Sequence, residues 1–423
     1  MSVVSFVLDR TQSFDVAIVG AGAAGLATAI FARRANRALS IAVLDGAKKP
    51  GAKILVSGGS RCNVTNVSVS ERDFWGGRAT IVRRVLRALP VEETIAFFDG
   101  IGVRLHEEAD GKLFPNTNRS RDVLDALLRE LSAVGATLLS DHRVADIERV
   151  QDRFRLLTSR GDLDAGHVVL ATGGLSLPKT GSDGGGLEMA RRLGHMIVPT
   201  TPALAPLILE GSELHRALAG VSHDVELTVW VDGAVAIRLR GAMLWTHFGV
   251  SGPVALNASR HLLRAELEGR AVRLTASFRP GLDPADVDRE FIELGRLHPN
   301  ARLHTIVART MPASMAEALL DALAIDGGVE MAHLPRDVRR RLSHALVEWP
   351  LAVAGTRGYA VAEATAGGVA LTEIDPATLE SRICPGLFLV GEMLDVDGRI
   401  GGFNFQWAWA SGFVAGTALS NTL

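Results

Sequence analysis

The stretch FDVAIVGAGAAGLATAIFARR, residues 14–34, predicts a strand that runs through a glycine turn into a helix. Residues 14–19 are apolar except for Asp15, and good helix formers follow the glycines. A second apolar strand, 40–44, ends at Asp45. These pieces make a βαβ unit of about 30 residues, the length at which a parallel pair of strands is bridged by one helix.

The spacing Gly20-x-Gly22-x-x-Gly25 fits a turn that binds a dinucleotide. The first glycine permits the tight turn, the second lets backbone approach a pyrophosphate, and the third lets helix and strand pack closely. A carboxylate about 20 residues further on can accept hydrogen bonds from a ribose diol. The alternative is a tight glycine turn without a cofactor. The predicted cofactor contacts in this unit are Gly20, Gly22, Ala23, Ala24, Gly25 and Asp45.

The segment KILVSGGSRCN, residues 53–63, packs glycines, hydroxyls, an amide and a guanidinium into one short stretch. This composition predicts a polar loop that wraps phosphate or a flavin ring, with a solvated surface loop as the alternative. The predicted contacts are Lys53, Ser57, Gly58, Gly59, Arg61, Cys62 and Asn63. Because the second cysteine, Cys384, is distant in sequence, Cys62 is interpreted as a small packing residue rather than a redox thiol.

Two further glycine-rich segments follow predicted strands. After the strand 167–170, small residues allow backbone to lie against a ligand at the strand's carboxyl end, although turn glycines would also explain them. Near the other end of the chain, 391–406 precedes a long apolar helix whose N-terminus could stabilise an anionic reduced flavin ring, or could be a plain glycine-rich lead-in. The predicted contacts are Val144, Ala171, Thr172, Gly173, Gly391, Glu392, Gly401, Gly402, Phe403 and Asn404.

The order of these patterns predicts an α/β protein with a Rossmann-like domain built from both chain ends. Residues 1–198 and 352–423 are assigned to this domain. Alternating strands predict a β-rich, barrel-like insertion over 199–280, with 345–360 as a candidate to complete it. Helical periodicity and prolines predict a small helical subdomain over 281–348.

Composition narrows the partners and the chemistry. The formal charge is −2, which gives no bulk signature of nucleic-acid or membrane binding. Two distant cysteines favour neither a disulfide framework nor a zinc site, so no metal is expected and a cytoplasmic location fits best. Residues 1–11 lack the pattern of a signal peptide. His247 and Arg61 are the candidate catalytic residues, with a structural histidine as the alternative for the former.

Taken together, these motifs resemble the HI0933-like flavoprotein family, which includes aminoacetone oxidase-like and bile-acid reductase-like enzymes. The matching stretches are GAGAAGL at 20–26, SGGSRCNVTN at 57–66, KLFP at 112–115, ATGGLSLPKTGSDGGG at 171–186, THFGVSGP at 246–253 and GEMLDVDGRIGGFNFQWAWASG at 391–412. The resemblance implies FAD as cofactor and a two-part FAD domain. The chain departs from the family pattern at Ser60, usually glycine, at Asp45, commonly glutamate, and at Phe403, commonly tyrosine.

The expected activity is that of an FAD-dependent oxidoreductase passing a hydride to or from a small organic substrate. Reduction of an activated C=C bond with NAD(P)H as donor is one candidate form of this activity. Because the sequence has no second GxGxxG unit for a stable nicotinamide domain, such a donor is expected to bind transiently at the flavin face. One alternative is reduction of a base in structured RNA, suggested by the arginine-rich run 336–341. Another is a non-catalytic flavin-binding sensor. The oligomeric state stays open.

Overall fold

Strand Gln12–Val19 ends in four consecutive buried residues and lies inside a seven-stranded sheet. Its parallel neighbours are Ile41–Asp45 on one side and Leu163–Leu170 on the other. Strands buried on both faces read as continuous apolar runs, which is the pattern of residues 14–19. The remaining strands of the sheet are Thr137–Ser140, Val144–Val150, Arg153–Thr158 and Leu387–Leu389.

The computed structural model describes residues 12–211 and 214–422, which fall into two compact units. The first unit holds the seven-stranded sheet and consists of the chain up to Thr200 together with the chain from Glu363 onward. The expectation about a signal peptide concerns residues 1–11 and lies outside the described residues. The helices of this unit are Ala23–Ala35, Ala52–Ser60, Ala79–Ala88, Val91–Gly100, Ser120–Ala133, Gly185–Arg192 and Phe403–Thr422.

Shorter elements complete the first unit. Its single-turn 3₁₀ segments are Glu71–Asp73, Ala109–Gly111, Pro178–Thr180, Leu371–Glu373 and Gly391–Met393. Its short strands are Thr65–Asn66, Phe74–Gly76, Leu105–Glu108, Lys112–Pro115, Ala364–Val369 and Val396–Gly398. Strand Ile197–Ala203 spans the first boundary between the units.

The two ends of the chain meet in the first unit. Helix Phe403–Thr422 packs against helix Ala23–Ala35, and glycines on the former make the contact close. A Cβ atom at Gly412 would lie 2.8 Å from the Ala24 carbonyl oxygen, and one at Gly416 would lie 2.7 Å from the Thr28 carbonyl oxygen. The small residues therefore bring the C-terminal helix against the helix that follows the glycine turn.

The second unit, Thr201–Ala362, is built around an antiparallel seven-stranded sheet. Its two edge strands, Trp349–Leu351 and Val353–Thr356, are consecutive in the chain and pair with opposite edges of the other strands. The segment 349–356 therefore joins the two edges of the sheet. The strands between these edges are, in order, Val272–Ser277, Ser222–Val231, Ala234–Thr246, Gly249–Ser251 and Leu207–Leu209.

Helices accompany this sheet throughout the second unit. Helix Pro253–Leu267 lies in the segment expected to be β-rich, where Pro253 at its first turn and buried Val254, Ala258 and Leu262 give it the spacing of an amphipathic helix. The other helices of this unit share one apolar core with the sheet instead of forming a core of their own. They are Leu214–Ala217, Pro284–Leu297, Leu303–Val307, Ala313–Ala322, the 3₁₀ turn Met331–His333 and Arg336–Val347.

One of the two boundaries between the units differs from the position expected from the sequence. The first lies at Thr200, next to the expected residue 198. The second lies at Ala362 instead of near 352, because Val353–Thr356 pairs with Leu207–Leu209 and so belongs to the sheet of the second unit. The predicted α/β class is confirmed by the mostly parallel sheet of the first unit and its helices.

Candidate active site

The glycine turn has the geometry that a dinucleotide requires. Gly20 has a φ of +107°, and a Cβ atom there would lie 2.5 Å from the Ala171 carbonyl oxygen. A Cβ atom at Gly25 would lie 1.9 Å from the Gly20 carbonyl oxygen. At Gly22, by contrast, no heavy atom of the described chain lies within 4 Å of the Cβ position. Gly20 and Gly25 therefore serve packing, whereas Gly22 leaves an open approach to the backbone.

The start of helix Ala23–Ala35 is available to an anion. Gly22 is its N-cap residue and provides no capping side chain, and its first turn contains no acidic residue. The first N–H groups of a helix have no intrahelical acceptor, and the helix dipole makes this end attractive to phosphate. The predicted contacts Ala23 and Ala24 lie in this first turn, so the structure places them beside the open approach at Gly22.

Asp45 ends strand Ile41–Asp45 beside the glycine turn. Its Oδ2 accepts a hydrogen bond from the Ala21 N–H at 2.9 Å, and its Oδ1 accepts one from the Ala47 N–H at 2.8 Å. Each carboxylate oxygen can accept a further bond, so the side chain can also bind a ribose diol. The backbone carbonyl of Asp45 accepts from the His142 N–H at 2.9 Å, which brings the start of strand Val144–Val150 to the same edge.

The predicted polar loop 53–63 is partly helical in the structure, which corrects the expectation. Helix Ala52–Ser60 starts regularly but changes direction at Ser57, which has a ψ of 149°. Gly58 and Gly59 then take left-handed conformations, and so does Ser60 with a φ of +66°. Left-handed backbone favours glycine, which accounts for the glycine that the resembling family carries where this chain has Ser60.

Arg61 lies at the centre of a charged and aromatic cluster. Its Nη1 lies 2.6 Å from Oε1 of Glu108, and its guanidinium lies 4.0 Å from the centre of the Phe114 ring. His106 Nε2 lies 3.3 Å from the same Glu108 oxygen. The hydrogen bond from Arg61 is the largest cause that lowers the pKa of Glu108. The cluster holds Arg61 in place, and its guanidinium keeps further N–H donors for a ligand.

The two residues after Arg61 differ in role, because Cys62 packs inside the protein whereas Asn63 can contact a ligand. Cys62 is buried, and burial raises the pKa of its thiol to about 12, which makes a reactive thiolate unfavourable. Asn63 is also buried, and its Oδ1 has no hydrogen-bond partner within the described chain. A buried polar atom without a partner costs about 1–3 kcal/mol, so this oxygen indicates that a donor from a ligand completes it.

A polar network joins segments that are far apart in sequence. Lys53 Nζ contacts both a carboxylate oxygen of Glu392 and the Ser176 hydroxyl, the latter at 2.5 Å. Ser176 Oγ donates to the other Glu392 oxygen at 2.6 Å, which also accepts from the Thr365 N–H at 2.9 Å. Lys53 and Glu392 were predicted, whereas Ser176 and Thr365 were not. The pair Gly367-Gly368, which begins two residues after Thr365, was the sequence signal that could have indicated them.

The third predicted segment continues strand Leu163–Leu170 into this region. Ala171 donates its N–H to the Val19 carbonyl at 2.9 Å and lies against the Gly20 turn. Gly173 has a φ of +73°, and a Cβ atom there would lie 2.5 Å from the Ser182 hydroxyl and 3.9 Å from a Glu392 oxygen. The structure therefore brings residues 171–173 together with the glycine turn and with Glu392.

Gly391 and Gly402 occupy places that no side chain could enter. A Cβ atom at Gly391 would lie 2.8 Å from the Ala24 Cβ, and one at Gly402 would lie 2.5 Å from the Thr65 carbonyl oxygen. Gly401 also has a positive φ, +125°. Gly401 and Gly402 lead directly into helix Phe403–Thr422, whose first N–H groups lack intrahelical acceptors.

The side chains of Phe403 and Asn404 contact other parts of the protein and do not face an open surface. Phe403 is buried, and the Arg399 guanidinium lies 4.3 Å from its ring centre. Asn404 exchanges two hydrogen bonds with the backbone of Gly398, accepting at 2.8 Å and donating at 2.9 Å. Any contribution of Asn404 to ligand binding therefore falls to its backbone N–H at the helix start.

His247 belongs to the second unit. Its side chain is exposed, and its ring packs edge-on against Phe248 with 5.1 Å between the ring centres. The Arg357 guanidinium lies 4.9 Å from the centre of the same Phe248 ring. The other predicted site residues all lie in the first unit.

The first unit fits a bound FAD. The open backbone at Gly22 suits the pyrophosphate, Asp45 suits the ribose, and the unpartnered Asn63 Oδ1 suits a ring N–H. The start of helix Phe403–Thr422 would supply positive potential to a bound flavin ring. Bound FAD would supply reversible two-electron chemistry at this place, while these residues would orient it and adjust its electronic properties.

Comparison with known proteins places the chain among flavoproteins. Residues 14–418 match the model of the HI0933-like protein Rossmann domain. The chain is 31% identical over 403 residues to a 3-dehydro-bile acid delta(4,6)-reductase of Clostridium scindens, which spans 95% of this chain and 98% of that protein. It is 32% identical over 402 residues to the ribosomal RNA dihydrouridine synthase of Escherichia coli, which spans 95% and 96%.

Solved structures share the fold at lower identity. The 3-ketosteroid delta1-dehydrogenase of Sterolibacterium denitrificans, in complex with 1,4-androstadiene-3,17-dione, matches with a TM-score of 0.50 and 14% identity over 98% of this chain and 100% of that chain. The Mycobacterium smegmatis Sdh1 complex in the apo form matches with a TM-score of 0.51 and 16% identity over 97% and 68%. These likenesses support the Rossmann-like architecture.

Fold and site together define an FAD-dependent oxidoreductase with a Rossmann-like cofactor domain, an enzyme rather than a non-catalytic flavin sensor. The predicted flavoprotein class is thereby confirmed. The chain belongs to the HI0933-like protein family. None of the helices within residues 12–211 and 214–422 combines the length and apolar character that crossing a bilayer requires.

Proposed function

We propose that this enzyme reduces a C=C bond conjugated to a carbonyl group, with a nicotinamide nucleotide as the electron donor. The supporting observation is a chemistry shared by two relatives of nearly equal identity. A delta(4,6)-reductase acting on a 3-dehydro bile acid saturates C=C bonds in conjugation with the 3-keto group. A dihydrouridine synthase saturates the uracil C=C bond, which is conjugated to a ring carbonyl. Both reactions add a hydride and a proton to an enone-type system.

The residues of the first unit suit this chemistry. The FAD contacts that we propose are the predicted set around Gly20, Asp45, Lys53, Asn63 and Glu392, which the structure gathers from distant segments. The helix start at Phe403 favours the anionic reduced ring, which is a form of reduced flavin that carries a transferable hydride. Arg61 keeps free guanidinium donors that could polarise a substrate carbonyl.

We propose that the electron donor binds transiently instead of staying bound to the enzyme. The sequence has one GxGxxG unit between a strand and a helix, and we assign the residues of this unit to the FAD site. A nicotinamide nucleotide would therefore exchange at the flavin without a dedicated Rossmann domain. We propose that the enzyme is located in the cytoplasm, where reduced nicotinamides are available. We also propose that its substrate is a small molecule.

Anaerobic half-reactions test this function. The FAD-loaded enzyme is mixed with NADH or with NADPH while the visible flavin absorbance is followed, and we expect bleaching by at least one of them. A steroid 4-en-3-one is then added, and recovery of the flavin absorbance together with a saturated product supports the proposal. A reduced enzyme that no enone reoxidises, but that molecular oxygen reoxidises at once, would indicate an oxidase and refute it.

A second candidate is reduction of uracil within structured RNA. The observation that favours it is helix Arg336–Val347, on which Arg336, Arg340 and Arg341 are exposed, whereas Arg339 is held by Asp288 at 2.7 Å. Uridine-containing ribosomal RNA replaces the enone in the same reoxidation assay. If RNA is the substrate, reoxidation by RNA weakens steeply with salt and with Arg340→Ala plus Arg341→Ala, because released counterions drive binding.

A further inference from the structure

We propose that Glu363 donates the proton that accompanies hydride transfer, an inference that rests on the proposed function. Glu363 opens the return of the chain into the first unit, directly before strand Ala364–Val369. Reduction of a conjugated C=C bond requires an acid beside the flavin, because the hydride goes to the β-carbon and a proton must reach the α-carbon.

Glu363 is anchored to the network that holds Glu392. Its backbone carbonyl lies 3.5 Å from the Ser176 hydroxyl, and Ser176 also donates to Glu392. Two residues further on, the Thr365 N–H donates to Glu392 at 2.9 Å, and Thr365 Oγ1 accepts from the Leu175 N–H at 2.8 Å. The backbone carbonyl of Glu363 and the following residue Thr365 therefore lie beside the segments that we assign to FAD.

The carboxyl group of Glu363 is reachable yet closely surrounded by protein. Glu363 is exposed to solvent, but the surrounding protein atoms desolvate its carboxyl group and raise the pKa of that group. A ligand that covers this carboxyl group would strengthen the desolvation. The acid form of Glu363 thus persists to higher pH than that of an ordinary glutamate.

The charged groups near Glu363 do not remove its proton. Lys53 lowers the pKa of Glu363 by its positive charge, but desolvation outweighs this effect. The ammonium group of Lys53 is already paired with Glu392, whose oxygens also serve Ser176 and the Thr365 N–H. Ser176 and Thr365 do not titrate in the accessible pH range.

Other acids of the first unit suit the role less well. The Cys62 thiol is buried, and burial raises its pKa to about 12. Glu108 is bound to Arg61 and His106, and the hydrogen bond from Arg61 lowers its pKa. Within the described chain, Glu363 is the carboxyl group whose pKa is shifted upward.

The reaction balances with one acid and one hydride. The β-carbon receives a hydride from reduced FAD, the C=C π bond breaks, and the α-carbon takes the proton of the Glu363 carboxyl group. FAD is thereby oxidised and the substrate is reduced by two electrons. The Glu363 carboxylate regains its proton from solvent, and a reduced nicotinamide nucleotide restores the reduced flavin.

Glu363→Gln tests the proposal, with Glu148→Gln as the matched control. Glu148 lies on strand Val144–Val150 and is exposed, so its exchange also removes one negative charge. Both variants are loaded with FAD, and FAD content and dissociation constants are measured first. We expect both variants to bind FAD and to be reduced by the nicotinamide donor at rates near that of the wild type.

The oxidative half-reaction and a spectroscopic titration then separate the variants. We expect Glu363→Gln to reoxidise with an enone roughly 100-fold more slowly or worse, the usual contribution of a positioned acid. The wild-type rate should fall as pH rises through the Glu363 pKa, whereas the variant should stay slow and flat. Independently of turnover, ionisation of Glu363 should shift the visible absorbance of bound oxidised FAD with pH, and Glu363→Gln should lack this titration.

Each outcome bears on one of the two proposals. Wild-type protein that shows the spectral titration but transfers to no acceptor refutes the proposed function, while Glu363 still ionises beside the cofactor. Equal enone rates for wild type and Glu363→Gln, or a spectral titration that survives in Glu363→Gln, overturn the assignment of Glu363. A Glu363→Gln protein that loses FAD also overturns it, because the residue would then serve cofactor binding.

Discussion

Alanine at Gly22 and at Gly25 should have opposite consequences, because the structure gives these glycines different tasks. The added methyl group at Gly25 would lie 1.9 Å from the Gly20 carbonyl oxygen, so the helix and the turn must separate by about an ångström, which typically costs 1–3 kcal/mol or more. At Gly22 the φ of −87° is open to alanine and the methyl group has free space among the described residues. Gly22→Ala should therefore change the stability of the FAD-free protein by less than about 1 kcal/mol.

The FAD affinity should respond in the reverse manner. A methyl group at Gly22 faces the approach to the pyrophosphate and would lengthen one or two charge-assisted hydrogen bonds, each about 1.5 kcal/mol, which corresponds to roughly 10- to 100-fold weaker binding. Urea unfolding of the FAD-free proteins and titration with FAD measure the two quantities separately, since bound FAD itself stabilises the fold. Gly22→Ala protein that binds FAD as tightly as the wild type would refute this placement of the pyrophosphate.

Three further substitutions probe the site and the fold. Glu392→Gln leaves the half-buried Lys53 ammonium without its counter-charge, so urea unfolding of the FAD-free protein should show a loss of about 1–2 kcal/mol, and no loss would contradict the ion pair. Trp409→Phe removes the 2.9 Å bond from the indole N–H to the buried Val64 carbonyl and should lower the unfolding free energy by about 1–3 kcal/mol in the same assay. Burial lowers the pKa of His261 to about 3, so only the unfolded chain takes up a proton below about pH 6.5. The wild type should thus lose up to about 2 kcal/mol between about pH 7 and 5, and His261→Asn should lose less; equal losses would argue against this histidine.

The glycine turn was predictable because its conformation is determined locally. Gly20, Gly22 and Gly25 act through backbone conformation and the absence of a Cβ atom. Both properties follow directly from the residue being glycine. The strand before them is buried on both faces and therefore reads as an apolar run. Asp45 was recognisable because the length of a βαβ unit fixes its distance along the chain.

Residues that act through contacts distant in sequence were harder to predict. Ser176 and Thr365 look like ordinary hydroxyl residues until the fold brings them to Glu392. The change of direction at Ser57 depends on left-handed glycines inside a helix, which propensity alone places in a loop. Helix Pro253–Leu267 was hidden by alternating strands on one side, although Gly252-Pro253 is a typical helix start.

The C-terminal helix connects both ends of the chain to the FAD site that we propose. Trp407 donates its indole N–H to the Gly391 carbonyl at 3.0 Å, and the Ser411 hydroxyl accepts from the Gly391 N–H at 3.0 Å. Trp409 holds the Val64 carbonyl, next to Asn63. The buried face of this helix therefore fixes the backbone of two of the segments that we assign to FAD. Since these bonds position Glu392 and Asn63, substitutions in the helix should weaken FAD binding even though their side chains contact only protein.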